Sequence, residues 1–118
     1  MPSPSSLTVA TQAIERLVKE ESYYHKELEG QKTRIAKLDQ SIAAGTDDEN
    51  AEYVLKQEKT AMAETEAVFT PLRKRITEAV GKLEEQIAIS ESEGADEKEL
   101  ARAREVLEKG RAVAEDEN

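Results

Sequence analysis

The chain of 118 residues contains no cysteine and no tryptophan, and only one phenylalanine and three tyrosines. Without cysteine it can form neither a disulfide framework nor a thiolate metal site, which suits a reducing compartment. So little aromatic and clustered β-branched material disfavours a β-sheet. No stretch approaches the roughly 20 apolar residues that span a bilayer, and residues 1–6 lack the features of a signal peptide. We therefore expect a cytoplasmic protein with no membrane partner.

What the chain does contain is charge, since 36% of its residues are Asp, Glu, Lys or Arg and its net charge is −9. Alanine, glutamate, lysine, leucine and arginine dominate, as in long helices of the coiled-coil type. Nucleic-acid binding requires a basic face that displaces counterions from phosphates, and an acidic chain argues against it. The composition therefore points to a protein partner and to no nucleic acid.

An apolar stripe with a spacing of three and four residues runs along the first third of the chain, interrupted only by Glu21 and Gln31. A repeat of 3.5 residues held this long predicts a straight helix that packs one narrow face along another helix. Ser5 or Ser6 is predicted to cap this first helix and Gly45 to end it, over about residues 6–44. The stripe consists of Leu7, Ala10, Ile14, Leu17, Tyr24, Leu28, Ile35, Leu38 and Ile42.

A second helix is predicted over about residues 47–89. Residues 46–49, with Thr46 first and Glu49 last, have the form of a capping box. So short a connection makes helices 1 and 2 run antiparallel. Pro71 lies in the interior of helix 2, where a proline removes one backbone hydrogen bond, so we expect a kink there.

A third, shorter helix is predicted over about residues 97–114, after a turn that contains Gly94. Asp96 and, three residues later, Glu99 give the signal for its N-terminus. The predicted fold class is all-α, an elongated antiparallel three-helix bundle. We expect it to occupy residues 7–114, between a flexible N-terminus at 1–6 and an acidic tail at 115–118.

Antiparallel pairing about the first turn places Pro71 opposite the stretch from Glu21 to Tyr24, next to the basic triplet Arg73-Lys74-Arg75. Two interpretations are open. In the structural one, Arg73 or Arg75 satisfies Glu21, and the proline bends the bundle along its supercoil. In the functional one, the cluster is a partner-binding surface whose shape the kink sets.

Helix 3 is expected to pack beside the second half of helix 2 and the first half of helix 1. The remaining halves of helices 1 and 2 would then form only a two-helix hairpin. Apolar side chains left partly uncovered in this way usually mark an interaction site or a dimer interface. The residues expected to be incompletely covered are Leu28, Ile35, Leu38, Val54, Leu55 and Met62.

Little in the sequence points to catalysis. His25 is the sole histidine, with no cysteine and no fixed carboxylate pair at a metal-ligand spacing. There is no Gly-Xaa-Ser-Xaa-Gly turn and no glycine-rich phosphate loop. Paired carboxylates such as Glu84-Glu85 lie in solvated runs, where nothing sets their protonation states apart. We expect no enzymatic activity, no cofactor and no metal.

Several short segments, in their order and spacing, carry a family resemblance. Together with the three-helix layout they cover about residues 8–114, and over this range the chain resembles the tubulin-binding cofactor A family. The Pro-Ser-rich start and the acidic end have no part in the resemblance. The segments are Arg16-Leu17-Val18-Lys19-Glu20 with Tyr24, Lys26 and Glu27; Lys56-Gln57; Pro71 with Arg73-Lys74-Arg75; and Ala103-Arg104-Glu105-Val106-Leu107.

The resemblance implies a non-catalytic cytoplasmic chaperone associated with the cytoskeleton. Proteins of that family bind β-tubulin and hold it until it enters the α/β heterodimer pathway with the other tubulin-folding cofactors. Binding in the family is attributed to helix surfaces. The partner-binding residues predicted from the resemblance and from the cluster around the proline are Arg16, Lys19, Glu20, Tyr23, Tyr24, Phe69, Pro71, Arg73, Lys74 and Arg75.

Other functions stay open at the level of the sequence. A structural coiled-coil spacer or oligomerisation module would use the same apolar seam for self-association, although the core tryptophan that spectrin-like repeats favour is absent. A helical co-chaperone module would act on another chaperone. The sequence allows either a monomer or a homodimer.

Overall fold

The structure, a computed structural model, describes residues 5–45 and 49–116. These residues form three helices, α1 (Ser6–Ala43), α2 (Ala51–Ser92) and α3 (Glu97–Ala114). Neither described range contains a strand, so the predicted all-α class with two long helices and one shorter helix is confirmed. In the part of the chain that the structure describes, none of the helices is long and apolar enough to cross a membrane.

Helix α1 begins with a side-chain cap at Ser5, one of the two predicted capping residues. The Ser5 carbonyl accepts the Val9 N–H, and the Ser5 hydroxyl oxygen accepts the Thr8 N–H, each at 3.0 Å. The cap satisfies an N–H group that the first turn of a helix leaves without a partner. At the other end of α1, Gly45 has φ +69°, the left-handed conformation predicted for it.

Helix α2 begins at Ala51, and the Val54 N–H donates to the carbonyl of Asn50. Residues 46–48 of the predicted capping box lie outside the described residues. The helix continues through Pro71 to Ser92, a little beyond the predicted end, and Gly94 with φ +72° follows it. The bend expected at Pro71 stays a prediction.

The chain divides into two compact units. The first unit consists of Met1–Glu21 and Thr70–Asn118, and the second unit is Ser22–Phe69. The first unit therefore holds the start of α1, the second half of α2 and all of α3. The second unit holds the remaining portions of α1 and α2. Helix α3 packs where the sequence predicted, since Arg111 pairs with Glu84 of α2 in the first unit.

The core of the first unit is a continuous set of aliphatic side chains from all three helices. Full burial of one such side chain contributes about 1.5–3 kcal/mol. Close contact of α3 with the other two helices depends on Gly110, where an added Cβ would lie 2.9 Å from Ile14 Cγ2 and 3.0 Å from Val80 Cγ2. The buried apolar residues are Leu7, Ile14, Leu17, Leu72, Ile76, Val80, Leu83, Ile87, Leu100, Ala103, Val106 and Leu107.

The second unit has much less of a core. In the part of this unit that the structure describes, the buried apolar residues are Ala51 and Phe69, and the other buried residues are Gln31 and Thr65. The Gln31 Nε2 amide donates to Thr65 Oγ1 at 3.0 Å, and this pair crosses from α1 to α2. The prediction that apolar side chains of this unit are incompletely covered is confirmed. Val54 is exposed, and the half-buried side chains are Leu28, Ile35, Leu38, Leu55 and Met62.

Candidate partner-binding surface

Seven of the ten residues predicted to contact a partner lie in the first unit. Arg75 forms an ion pair there, with its Nη2 3.7 Å from Glu20 Oε2. Glu20 is half-buried, within reach of the exposed arginine, whereas the neighbouring Glu21 is buried. The interpretation in which Arg73 or Arg75 satisfies Glu21 stays a prediction. Of the remaining residues of the basic cluster, Lys74 is exposed and Arg73 is half-buried.

A groove with a volume of about 690 Å³ runs between α1 and α2 in the first unit, and we call it the α1–α2 groove. Its charged side chains are Arg16, Arg75, Glu78, Lys82 and Glu85. Two large apolar side chains line the groove at one end and remain exposed, Val9 at 54% and Ile89 at 49%. The rest of its lining is Ser6, Ala10, Ala13, Leu17, Ala79 and Gln86.

A second groove, between α1 and α3, is polar. The Glu99 carboxylate accepts hydrogen bonds from the hydroxyls of Ser5 and Thr8, the latter at 2.7 Å. Because these hydroxyls stabilise the charged form, the pKa of Glu99 lies below its usual range. Arg102 closes the same groove by pairing with Glu15. Lys19, another predicted contact residue, also lines it.

These contacts also bear on the signal predicted for the N-terminus of α3. Asp96 occupies the N-cap position, as predicted, but its side chain makes no capping hydrogen bond. The carboxylate of Glu99 is bound to hydroxyls of α1 and of the residue before it. The signal therefore located the start of the helix correctly, while its acidic residue makes a tertiary contact with the first helix.

The remaining three predicted contact residues lie in the second unit. The rings of Tyr23 and Tyr24 meet edge to face with centroids 5.3 Å apart, and Tyr23 is exposed. Phe69 is only 7% exposed, and its ring lies against that of His25 with centroids 4.6 Å apart. The ring of Phe69 therefore packs inside the second unit, and its part in partner binding stays a prediction.

The α1–α2 groove was not among the sequence predictions, although the sequence contains a signal for it. Groove residues of α2 recur at Arg75, Ala79, Lys82, Gln86 and Ile89, an alternating spacing of four and three residues. This is a heptad pattern. The stripe contains two cations and a glutamine, so it does not stand out as apolar beside the main seam of the helix.

Within residues 5–45 and 49–116, no group of three or more His, Cys, Asp or Glu residues is placed to hold a metal ion. The features that the structure does offer are open helix faces, grooves between helices and exposed charges. They define an all-helical protein whose candidate binding features are side chains on its surface.

Comparison with known proteins identifies the family. The family model "Tubulin binding cofactor A" matches residues 2–107. Tubulin-specific chaperone A of Saccharomyces cerevisiae is 31% identical over 83 residues, which is 70% of this chain and 73% of that protein. No solved structure gives a significant match. The chain belongs to the tubulin binding cofactor A family, and it is a non-catalytic chaperone.

Proposed function

We propose that this chain captures β-tubulin folding intermediates during assembly of the α/β-tubulin heterodimer, in concert with the other tubulin-folding cofactors. The observation that carries this proposal is the family match over residues 2–107, a range that includes α1, α2 and the first part of α3. The proposed site of action is the cytoplasm, in association with the cytoskeleton. The proposed function involves no small-molecule cofactor.

The proposed contact surface consists of exposed side chains on the helices. In the first unit, Arg16, Lys19 and Lys74 are exposed, and Arg75 is exposed beside its partner Glu20. Charged side chains of this kind steer the approach of a partner and set its orientation more than they add to its affinity. The chain carries a net charge of −9, so these cations are where attraction to an acidic protein is concentrated.

In the first unit, the exposed Pro71 stands beside the basic cluster on α2, and the half-buried Arg73 supports this surface from beneath. The second unit carries candidate contact residues of its own. They are the aromatic pair Tyr23 and Tyr24, which offers ring faces and hydroxyl groups, and the buried Phe69 lies in the core of the same unit.

The direct test mixes the purified full chain with β-tubulin, with α-tubulin and with the heterodimer, and follows each mixture by size-exclusion chromatography with light scattering. We expect co-elution with β-tubulin and not with α-tubulin alone. The measured mass gives the stoichiometry and shows whether the chain binds as a monomer or as a homodimer. Equal binding to both tubulins, or binding to neither, would contradict the proposal.

A matched pair of charge reversals tests the residues. Arg75→Glu removes a cation of the proposed surface, whereas Arg104→Glu removes one from α3 that pairs with Glu91 of α2. Both arginines are exposed and ion-paired, so similar small changes in stability are expected. We expect β-tubulin binding to weaken at least tenfold for Arg75→Glu and by less than twofold for Arg104→Glu. Equal losses would show that only the net charge matters.

A further inference from the structure

We propose that the α1–α2 groove binds one amphipathic helix of the captured protein, with acidic residues bordering its apolar face. The bound helix would become the fourth helix of a bundle in the first unit. This inference rests on the proposed function and names the element of the partner that the chain holds.

The groove lies on the side of the α1–α2 pair that α3 leaves uncovered. Helix α3 lies against the other side, where Arg104 pairs with Glu91 and Arg111 with Glu84. In the described part of the first unit, Val9 and Ile89 are the large apolar side chains that stay exposed, and both line the groove. Exposed apolar surface concentrated in one concave place is typical of a protein–protein binding site.

The spacing of the groove residues suits a helix. On α2 they recur with heptad spacing from Arg75 to Ile89, and on α1 they recur in the same way from Ser6 to Leu17. Two such rows side by side form the holes into which apolar side chains of another helix insert. At 1.5 Å per residue the stripe on α2 is about 21 Å long, which is about four turns of a bound helix.

Charge decides which kind of helix fits. Arg75 and Lys82 lie on the heptad stripe of α2, and Arg16 lies on α1 across the groove. The acidic residues of the lining, Glu78 and Glu85, lie farther around α2, at the outer edge of the groove. Within the described ranges 5–45 and 49–116, Arg16 and Lys82 form no ion pair. These cations therefore favour acidic side chains beside the apolar face of the bound helix.

The groove between α1 and α3 offers no comparable site. Hydrogen bonds from Ser5 and Thr8 to Glu99, together with the Arg102–Glu15 ion pair, already tie its two walls together. A helix entering there would have to break these contacts. The α1–α2 groove has no such cross-links among its described lining residues apart from its flanking Arg75–Glu20 pair.

Two synthetic helices of 21 residues provide the probes. Both have leucine at the a and d positions of three heptads, and they carry either glutamate or lysine at the e and g positions. We expect the glutamate peptide to bind the full chain at least tenfold more tightly than the lysine peptide, as measured by fluorescence anisotropy. We expect this preference to shrink at high salt, since screening weakens exposed charge pairs. Equal binding of the two peptides would overturn the charge assignment.

A matched pair of substitutions locates the site. Ala79→Trp fills the groove, whereas Ala101→Trp puts the same side chain on an exposed position of α3. We expect Ala79→Trp to weaken both the glutamate peptide and β-tubulin at least tenfold, and Ala101→Trp to leave both within twofold. If Ala79→Trp lowers the helix content seen by circular dichroism, the surface variant Arg16→Glu with Lys82→Glu replaces it, with the same losses expected.

The outcomes separate the two proposals. If the unchanged chain binds β-tubulin and Ala79→Trp binds it equally well, the groove assignment is wrong and the proposed function stands. If the unchanged chain does not bind β-tubulin, the proposed function fails, whatever the peptides do. If a second copy of the chain occupies the groove, the chain forms a dimer, and Ala79→Trp abolishes that dimer. The glutamate peptide then fails to displace the second copy. That result would also overturn the inference.

Discussion

The two units of this protein use the same two helices but differ in how much they bury. Among the described residues, the first unit buries twelve apolar side chains and the second unit buries two. The difference comes from α3, because a helix with two neighbours can be covered on most of its apolar face, while a helix in a hairpin has one neighbour. Periodicity along α1 is similar in both units, so an apolar seam alone does not produce a core.

Among the described buried residues of the second unit, polar side chains are as numerous as apolar ones, with Gln31 and Thr65 beside Ala51 and Phe69. Gln31 is 3% exposed, and within the described residues its Oε1 atom accepts no hydrogen bond. A buried acceptor without a partner destabilises the folded state by about 1–3 kcal/mol. Regions with few buried apolar contacts open more readily than the rest of a protein. We therefore expect amides of residues 22–69 to exchange with solvent faster than those of the first unit.

The largest expected effect comes from truncating the same residue type in each unit. Ile14 is 0% exposed in the first unit, whereas Ile35 on the same helix is half-buried in the second. Ile14→Ala should lower the free energy of unfolding by about 2–5 kcal/mol, because it leaves a cavity that the core cannot fill. Ile35→Ala should lower it by less than about 1 kcal/mol, because solvent already reaches the site. Urea denaturation measures both, and equal losses would refute the difference between the units.

A smaller effect is expected from two glycines of the first unit. Gly110→Ala should destabilise the protein by about 1–3 kcal/mol, because the added methyl group overlaps Ile14 and Val80. Gly81→Ala meets open space in the interior of α2 and should stabilise it by up to about 1 kcal/mol. Thermal unfolding of the two variants checks the opposite signs. A stabilising Gly110→Ala would mean that α3 can move away from α1 at little cost.

The smallest effect is expected in the second unit. Gln31→Leu should raise its local stability by about 1 kcal/mol, because it removes a buried acceptor that has no partner. Thr65 keeps a hydrogen bond, since its hydroxyl donates to the Ala61 carbonyl at 3.1 Å. Hydrogen exchange of residues 22–69 measures the change, with the exposed Gln57→Leu in the same unit as control. Slower exchange in both variants would point to a general effect of leucine and not to the buried amide.

The sequence located the helices because their signals are local. Ser5 caps α1, and Gly45 and Gly94 take the left-handed conformation after helices, since each of these features depends on a few neighbouring residues. The register of α1 against α2 also followed from the shortness of their turn, as the ion pair between Arg34 and Glu58 in the second unit illustrates. The candidate contact residues were less predictable, since a charged residue on a helix looks the same whether it meets solvent, an ion partner or another protein.

By itself the sequence determined that this protein is built of three helices, that its net charge is negative and that it belongs to a family of tubulin chaperones. Only the tertiary structure decided which residues share a core, since a helical period says which face is apolar but not which neighbour covers it. Gly110 shows this most clearly, because its lack of a side chain matters only where α3 meets Ile14 and Val80. The α1–α2 groove has the same origin: it exists because α3 packs on one side of the α1–α2 pair and leaves the other side open.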